Sequence, residues 1–181
     1  MGIIIPEHKY TQREESVCSI LKNRNNIKSF LNVGFHNWED PRRHWWIKIC
    51  EQNNIKWDIL EIFKPNVIDA IEKGCPSERI INSSILNFDS YGDYDCIMFW
   101  HGPEHIEKDI FMSNLPKIEE KAKELLILGM PLGEEEQPEV YGNKWEEHVS
   151  FFTPEDFDSI GYKSIEVHDR IPAHFTTYKE M

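Results

Sequence analysis

The chain has 181 residues, 32 acidic and 20 basic, for a formal net charge of −12, with 40% apolar and 12% aromatic side chains. That length suits one domain, and that apolar content excludes a disordered acidic chain. The acidic balance repels polyanions, which argues against nucleic acid or an anionic membrane as partner. The longest apolar runs, such as 125–128, fall far short of the roughly 20 residues that span a bilayer. Residues 1–6 are apolar but are followed at once by Glu7, His8 and Lys9, so no secretory leader is read. Cys18, Cys50, Cys75 and Cys96 are scattered without a CxxC pair, which reads as reduced thiols in a cytoplasmic protein.

Residues 7–24 mix charge with Val17, Cys18, Ile20 and Leu21 and read as a helix within an N-terminal segment over 1–26. Residues 27–33 read as a buried strand that stops at Gly34. Trp45, Trp46, Ile49 and Cys50 recur at three-to-four-residue spacing, predicting a helix over 40–52 with Pro41 in its first turn. A second strand follows at 55–63, then a short helix from Pro65 to a stop at Gly74. Residues 79–82 and the nearly all-apolar 94–100 are the third and fourth strands. A helix over 103–123 is expected, interrupted or kinked near Pro116, and then a fifth strand at 125–130. Residues 132–150 form a polar loop of a length that in compact domains goes with function or mobility. Thr153 as N-cap, Pro154 in the first turn and the acidic Glu155-Asp156 open a short helix to Ile160. Residues 162–168 and 173–179 read as two closing strands. Too few residues join them for a crossover helix, so they pair antiparallel. Strands alternating with helices imply a mostly parallel sheet covered on both faces, in an α/β domain over 27–181.

Ligands of open α/β sheets sit beyond the carboxyl ends of the strands. The residues there are Gly34-Phe35-His36 after the first strand, Glu61-Ile62 after the second, Ser84-Ile85 after the third and Trp100-His101 after the fourth. Taken with Phe30-Leu31-Asn32-Val33-Gly34, Ile59-Leu60-Glu61, the run from Tyr94 to Trp100 with Glu104-His105-Ile106, and the distal His148 to Phe157 with Gly161-Tyr162, this order resembles the class I S-adenosylmethionine-dependent methyltransferases over about residues 27–179. The resemblance implies a Rossmann-like three-layer sandwich, a mostly parallel seven-stranded sheet with a C-terminal antiparallel hairpin. It implies S-adenosyl-L-methionine as cofactor, bound by Gly34, Phe35, His36, Glu61, Ile62, Ser84, Ile85 and Trp100. Gly34 lets backbone approach the methionine part. By the same resemblance Glu61 accepts the ribose hydroxyls, Ile62 or Phe63 packs on adenine, and the Ile85 amide reads a ring nitrogen. The sequence departs from the family pattern at Asn32, where an acid is common, at His36, where a second glycine is common, and at Ser84, where an acid is usual. Residues 38–43 stand as an insertion.

His101, His105 and His148 are the catalytic candidates, because a neutral imidazole can take the proton of a hydroxyl or ammonium acceptor. His101-Gly102-Pro103-Glu104-His105 also spells H-x-x-E-H, the pattern of a metal hydrolase, with His148 and Glu147 as further ligands. Pro103 at a strand-to-helix corner speaks against both histidines sharing one helical face, and no metal is assigned. Glu146-Glu147 reads as a solvent-facing pair that can also attract a cationic acceptor. The expectation is methyl transfer to a small-molecule or sugar-like acceptor. The alternatives are a methyltransferase-like binding module without activity, motivated by Asn32, His36 and Ser84, and the hydrolase. Oligomeric state is left open.

Overall fold

The computed structural model describes residues 2–35, 44–140, 142–169 and 171–181. The expectations for His36, for the insertion at 38–43 and for the start of the helix at 40–43 lie outside the described residues. In chain order the elements are α1 (Gln12–Leu21), β1 (Ser29–Val33), α2 (Trp45–Gln52), β2 (Lys56–Glu61), α3 (Lys64–Glu72) and β3 (Arg79–Asn82). They continue with β4 (Tyr94–Trp100), α4 (Lys108–Glu119), β5 (Ala122–Pro131), α5 (Glu155–Asp158), β6 (Lys163–Val167) and β7 (His174–Glu180).

The seven strands form one sheet in the order β3-β2-β1-β4-β5-β7-β6. The first five pair parallel, and β7 inserts antiparallel between β5 and β6. Successive residues of β4 serve opposite faces. Cys96 and Met98 meet α1 and α2 through Val17, Leu21, Trp46 and Ile49. Ile97 and Phe99 meet α4 and α5 through Phe111, Leu115 and Phe157. Both faces being covered is why the central strands read as continuous apolar runs. Each fully buried Leu, Ile or Phe contributes about 1.5–3 kcal/mol.

The N-terminal segment shares this core. Thr11 and Glu14 form a reciprocal capping box at the start of α1. From there Val17, Ile20 and Leu21 reach the same cluster as Phe30 of β1, and Ser16 Oγ meets Thr176 Oγ1 of β7 at 2.7 Å.

The helix expected over 103–123 divides in two. Residues Pro103–His105 make a single 3-10 turn, Ile106 and Glu107 are extended, and α4 then runs through Pro116 without interruption. The break falls where it does because the carbonyls a helix would use are taken elsewhere. Val149 and Ser150 donate their N–H groups to Glu104 O at 3.0 and 3.1 Å, and Ser150 Oγ donates to Ile106 O at 2.7 Å. The helix expected over 153–160 is a single turn whose N-cap is Pro154. The loop after β5 contains one 3-10 turn, Lys144–Glu146, and the isolated bridges Leu132↔Phe152 and Val140↔Asn143. No helix among the described residues is long and apolar enough to cross a membrane.

Candidate active site

The strand order reverses between β1 and β4, and a cavity of about 590 Å³ opens at their carboxyl ends, within the roughly 300–1,000 Å³ of small-molecule sites. Of the residues expected to bind cofactor, Gly34, Phe35, Glu61, Ile62, Ser84, Ile85 and Trp100 all line it, together with His101 and His105. His148 does not line it. It sits behind, with its ring centroid 5.0 Å from that of His105.

At the end of β1 the chain turns through Gly34 in the left-handed region, φ +80°, which a side chain adopts only with strain. A Cβ at Gly34 would meet nothing within 4 Å. What glycine supplies here is the turn and open space in front of the backbone. Asn32 Nδ2 donates to Gly34 O at 2.6 Å and holds the loop in this shape. Glu61 ends β2 and is 5% exposed. Its two oxygens accept the Phe35 N–H and the Phe63 N–H, both at 2.6 Å, tying the loop after β1 to the loop after β2. Burial raises the carboxyl pKa, the two N–H groups pull it down, and the nearby charge of Glu146 raises it further. On the third side Ser84 Oγ accepts the Leu86 N–H at 3.2 Å, and the Ile85 carbonyl accepts the Tyr91 hydroxyl at 2.7 Å.

The end of β4 carries the imidazoles. His101 has φ +55°, a strained corner for a non-glycine residue. Its Nε2 lies 3.4 Å from Arg13 Nη1 and its Nδ1 3.5 Å from Glu104 Oε1. Arginine can only donate, so Nε2 accepts and Nδ1 carries the proton toward the carboxylate. Glu104 is buried, and burial opposes its charge. The imidazoles of His101 and His105 outweigh that and hold its pKa below the usual value. His105 differs from His101, because its Nδ1 pairs with the Glu147 carbonyl at 3.0 Å. A carbonyl accepts only, so Nδ1 donates and Nε2 keeps its lone pair. The structure gathers ligand atoms of Glu104, His105 and His148 within 4.8 Å of one another, and His101 is outside that group.

Residues 143–147 cover the cavity and carry Trp145, which the sequence reading missed. A tryptophan within a largely polar stretch was the available signal, and in the structure it is 42% exposed. Arg13 and His174 were missed as well. Arg13, from α1, also lies 3.5 Å from Asp169 through Nε. His174 of β7 is completely buried, its ring tilted against His101 (centroids 4.7 Å) and edge-on to Trp100 (5.5 Å).

Burial, with the neighbouring His101 and Arg13, pushes the His174 pKa down from 6.5 to about 2. The imidazole is therefore neutral in the native state, while the unfolded chain takes up a proton below pH 6.5. Native stability falls as pH drops below that value, by up to about 1.4 kcal/mol per pH unit toward the native pKa. Urea unfolding of the wild type and of His174→Phe at pH 7.0 and 5.5 checks this. The wild type is expected to lose about 1–2 kcal/mol more than the variant over that interval.

The fold is the Rossmann-like fold of class I methyltransferases. No family model and no curated protein matches the sequence. Solved structures do match the fold over almost its whole length. A SAM-dependent methyltransferase from Archaeoglobus fulgidus is 13% identical with a TM-score of 0.61, covering 93% of this chain and 92% of that one. The N-methyltransferase NodS from Bradyrhizobium japonicum WM9 is 9% identical with a TM-score of 0.66, covering 93% and 94%. Magnesium protoporphyrin IX methyltransferase from Synechocystis PCC 6803, with bound SAM, is 13% identical with a TM-score of 0.65, covering 93% and 78%.

Proposed function

We propose that this chain is an S-adenosyl-L-methionine-dependent methyltransferase acting on a small-molecule or sugar-like acceptor. The observation that carries the reading is the convergence of Gly34, Glu61 and Ile85, from the ends of three neighbouring strands, on one cavity at the switch in strand order. The residues fit the cofactor by an independent criterion: the space in front of Gly34 is open and would be filled by a Cβ. Glu61 supplies buried carboxylate oxygens whose remaining lone pairs suit a pair of ribose hydroxyls. Ile62 offers an apolar face at the rim of the same wall. The charges of Glu61 and Glu146 complement a cationic ligand.

When bound, the cofactor supplies a methyl group activated by its sulfonium. The chain positions the acceptor, excludes water and takes a proton. Positioning is the larger contribution in a displacement of this kind. Trp100 and Trp145 wall the cavity from two sides. His105, with Nε2 unpaired on the cavity lining, is the group placed to remove a proton, and His101 orients Glu104. A binding module without activity is the second reading. The engagement of Ser84 Oγ by the Leu86 N–H, which takes up one of the two lone pairs of the side chain expected near adenine, favours it.

Thermal unfolding with added ligand tests the proposal. S-adenosylmethionine or S-adenosylhomocysteine at 100 times its Kd stabilises the native state by about 2.7 kcal/mol, or roughly 5–10 °C for a chain this size. No shift at saturating concentrations of either compound contradicts the proposal.

A further inference from the structure

We infer that Glu104, His105 and His148 form a binding site for a divalent transition-metal cation, zinc or a close relative, beside the cofactor cavity.

The site is built by backbone pairing between two distant stretches of chain. Glu104 O accepts the N–H groups of Val149 and Ser150, and His148 N donates to Gln137 O at 2.9 Å. Together these bonds set the residues after β4 against the end of the long loop. His105 and His148 consequently face each other.

Each histidine is held by its far nitrogen. His105 Nδ1 donates to Glu147 O at 3.0 Å and His148 Nδ1 to Glu135 O at 2.7 Å. Both Nε2 atoms therefore present lone pairs. Fixing a ring through one nitrogen so that the other can coordinate is the usual support of a metal-ligating imidazole.

Glu104 completes the set. Its side chain is 3% exposed, yet neither oxygen has a hydrogen-bond partner among the described residues. A buried carboxylate normally accepts several hydrogen bonds, and the approach of His101 Nδ1 at 3.5 Å satisfies neither oxygen. A cation does satisfy them.

The ligand atoms lie within 4.8 Å of one another. Small side-chain rotations bring them to the roughly 3–4 Å that separates donors sharing a metal at about 2.0–2.2 Å. Two imidazoles and one carboxylate suit zinc or another first-row divalent ion, and too few oxygens are present for calcium. Three protein ligands leave a coordination position for water or substrate.

His105 belongs both to this group and to the cavity lining. A cation here would use the His105 lone pair as a ligand and lower the pKa of an acceptor hydroxyl by its own charge, in place of proton removal by the imidazole. That last role rests on the methyltransferase reading; the binding of metal does not.

Calorimetric titration of the untagged, chelator-treated full chain with zinc chloride alone, without cofactor, is the test. One equivalent is expected to bind to the wild type. His148→Ala and Glu104→Gln are each expected to lose more than about 100-fold in affinity, beyond the usual cost of losing a supporting partner. His148 is outside the cofactor cavity, so S-adenosylhomocysteine binding by His148→Ala reports separately on folding and on the methyltransferase reading. A wild type that takes up no zinc, or a folded His148→Ala that binds it as tightly, overturns the site.

Discussion

Glu61→Ala is expected to weaken S-adenosylhomocysteine binding by about 100-fold or more. A carboxylate that accepts two ribose hydroxyls makes two charge-assisted hydrogen bonds, each about 1.5–3 kcal/mol, and every 1.4 kcal/mol is a factor of ten. The same oxygens tether the loop after β1 through the Phe35 N–H and the loop after β2 through the Phe63 N–H. Alanine therefore removes the proposed ribose acceptors and loosens the turn at Gly34 together. Thermal stability should change much less than affinity, because two effects oppose. The variant frees two N–H groups, but it also relieves a buried charge whose raised pKa records the cost of its desolvation. Calorimetry with S-adenosylhomocysteine, paired with a melting curve, reads both quantities. An affinity equal to that of the wild type rules out Glu61 as the ribose acceptor.

Gly129→Ala is the second large effect, and it acts from the far side of the site. Gly129 of β5 pairs with Trp100 of β4 on one side and with Thr176 of β7 on the other. The indole of Trp100 lies across it, and an added Cβ would overlap the indole Cδ1 and Nε1. The ring is held by Trp45 (centroids 5.5 Å, nearly perpendicular) and His174, so it has little freedom to yield. Overpacking of this kind costs about 1–3 kcal/mol or more. That corresponds to a fall of roughly 2–12 °C in the unfolding midpoint. Trp100 lines the cavity, so its displacement should lower affinity for S-adenosylhomocysteine as well. A variant that melts with the wild type and binds equally well contradicts this account of the glycine.

Much of this arrangement was legible in the residues because both faces of the sheet are buried. The run of Tyr94–Trp100, apolar but for Asp95, marked β4 to the residue, and the paired Ile80-Ile81 within Arg79–Asn82 marked β3. The short link between β6 and β7 fixed their antiparallel pairing. Helix boundaries after β4 were not legible. They depend on Glu104 and Ile106 giving their carbonyls to Val149 and Ser150, some 45 residues away, and no local pattern records that. The lining of the cavity was readable from strand ends, because topology alone places those residues beside one another. The histidines were only partly readable. His105 reaches the cavity and His148 stands behind it, a distinction set by the path of the loop. His174 sits in a strand whose sequence carries no sign that its ring is sealed between Trp100 and His101.

The two loops that matter most chemically come from opposite ends of the chain's logic. Gly34 N–H donates to Leu60 O, and the Glu61 carboxylate accepts the Phe35 and Phe63 N–H groups, so the ends of β1 and β2 are tied directly to each other. The residues from Asn143 to Ser150 are held by scattered bonds to Glu104, His105, Glu135 and Gln137.

The central claim is that the cavity between β1, β2 and β4 binds S-adenosyl-L-methionine. Isothermal titration of the purified chain with S-adenosylhomocysteine tests it most directly. The account predicts saturable one-to-one binding that Glu61→Ala weakens; absence of heat and of any other sign of binding from a folded wild-type chain would contradict it.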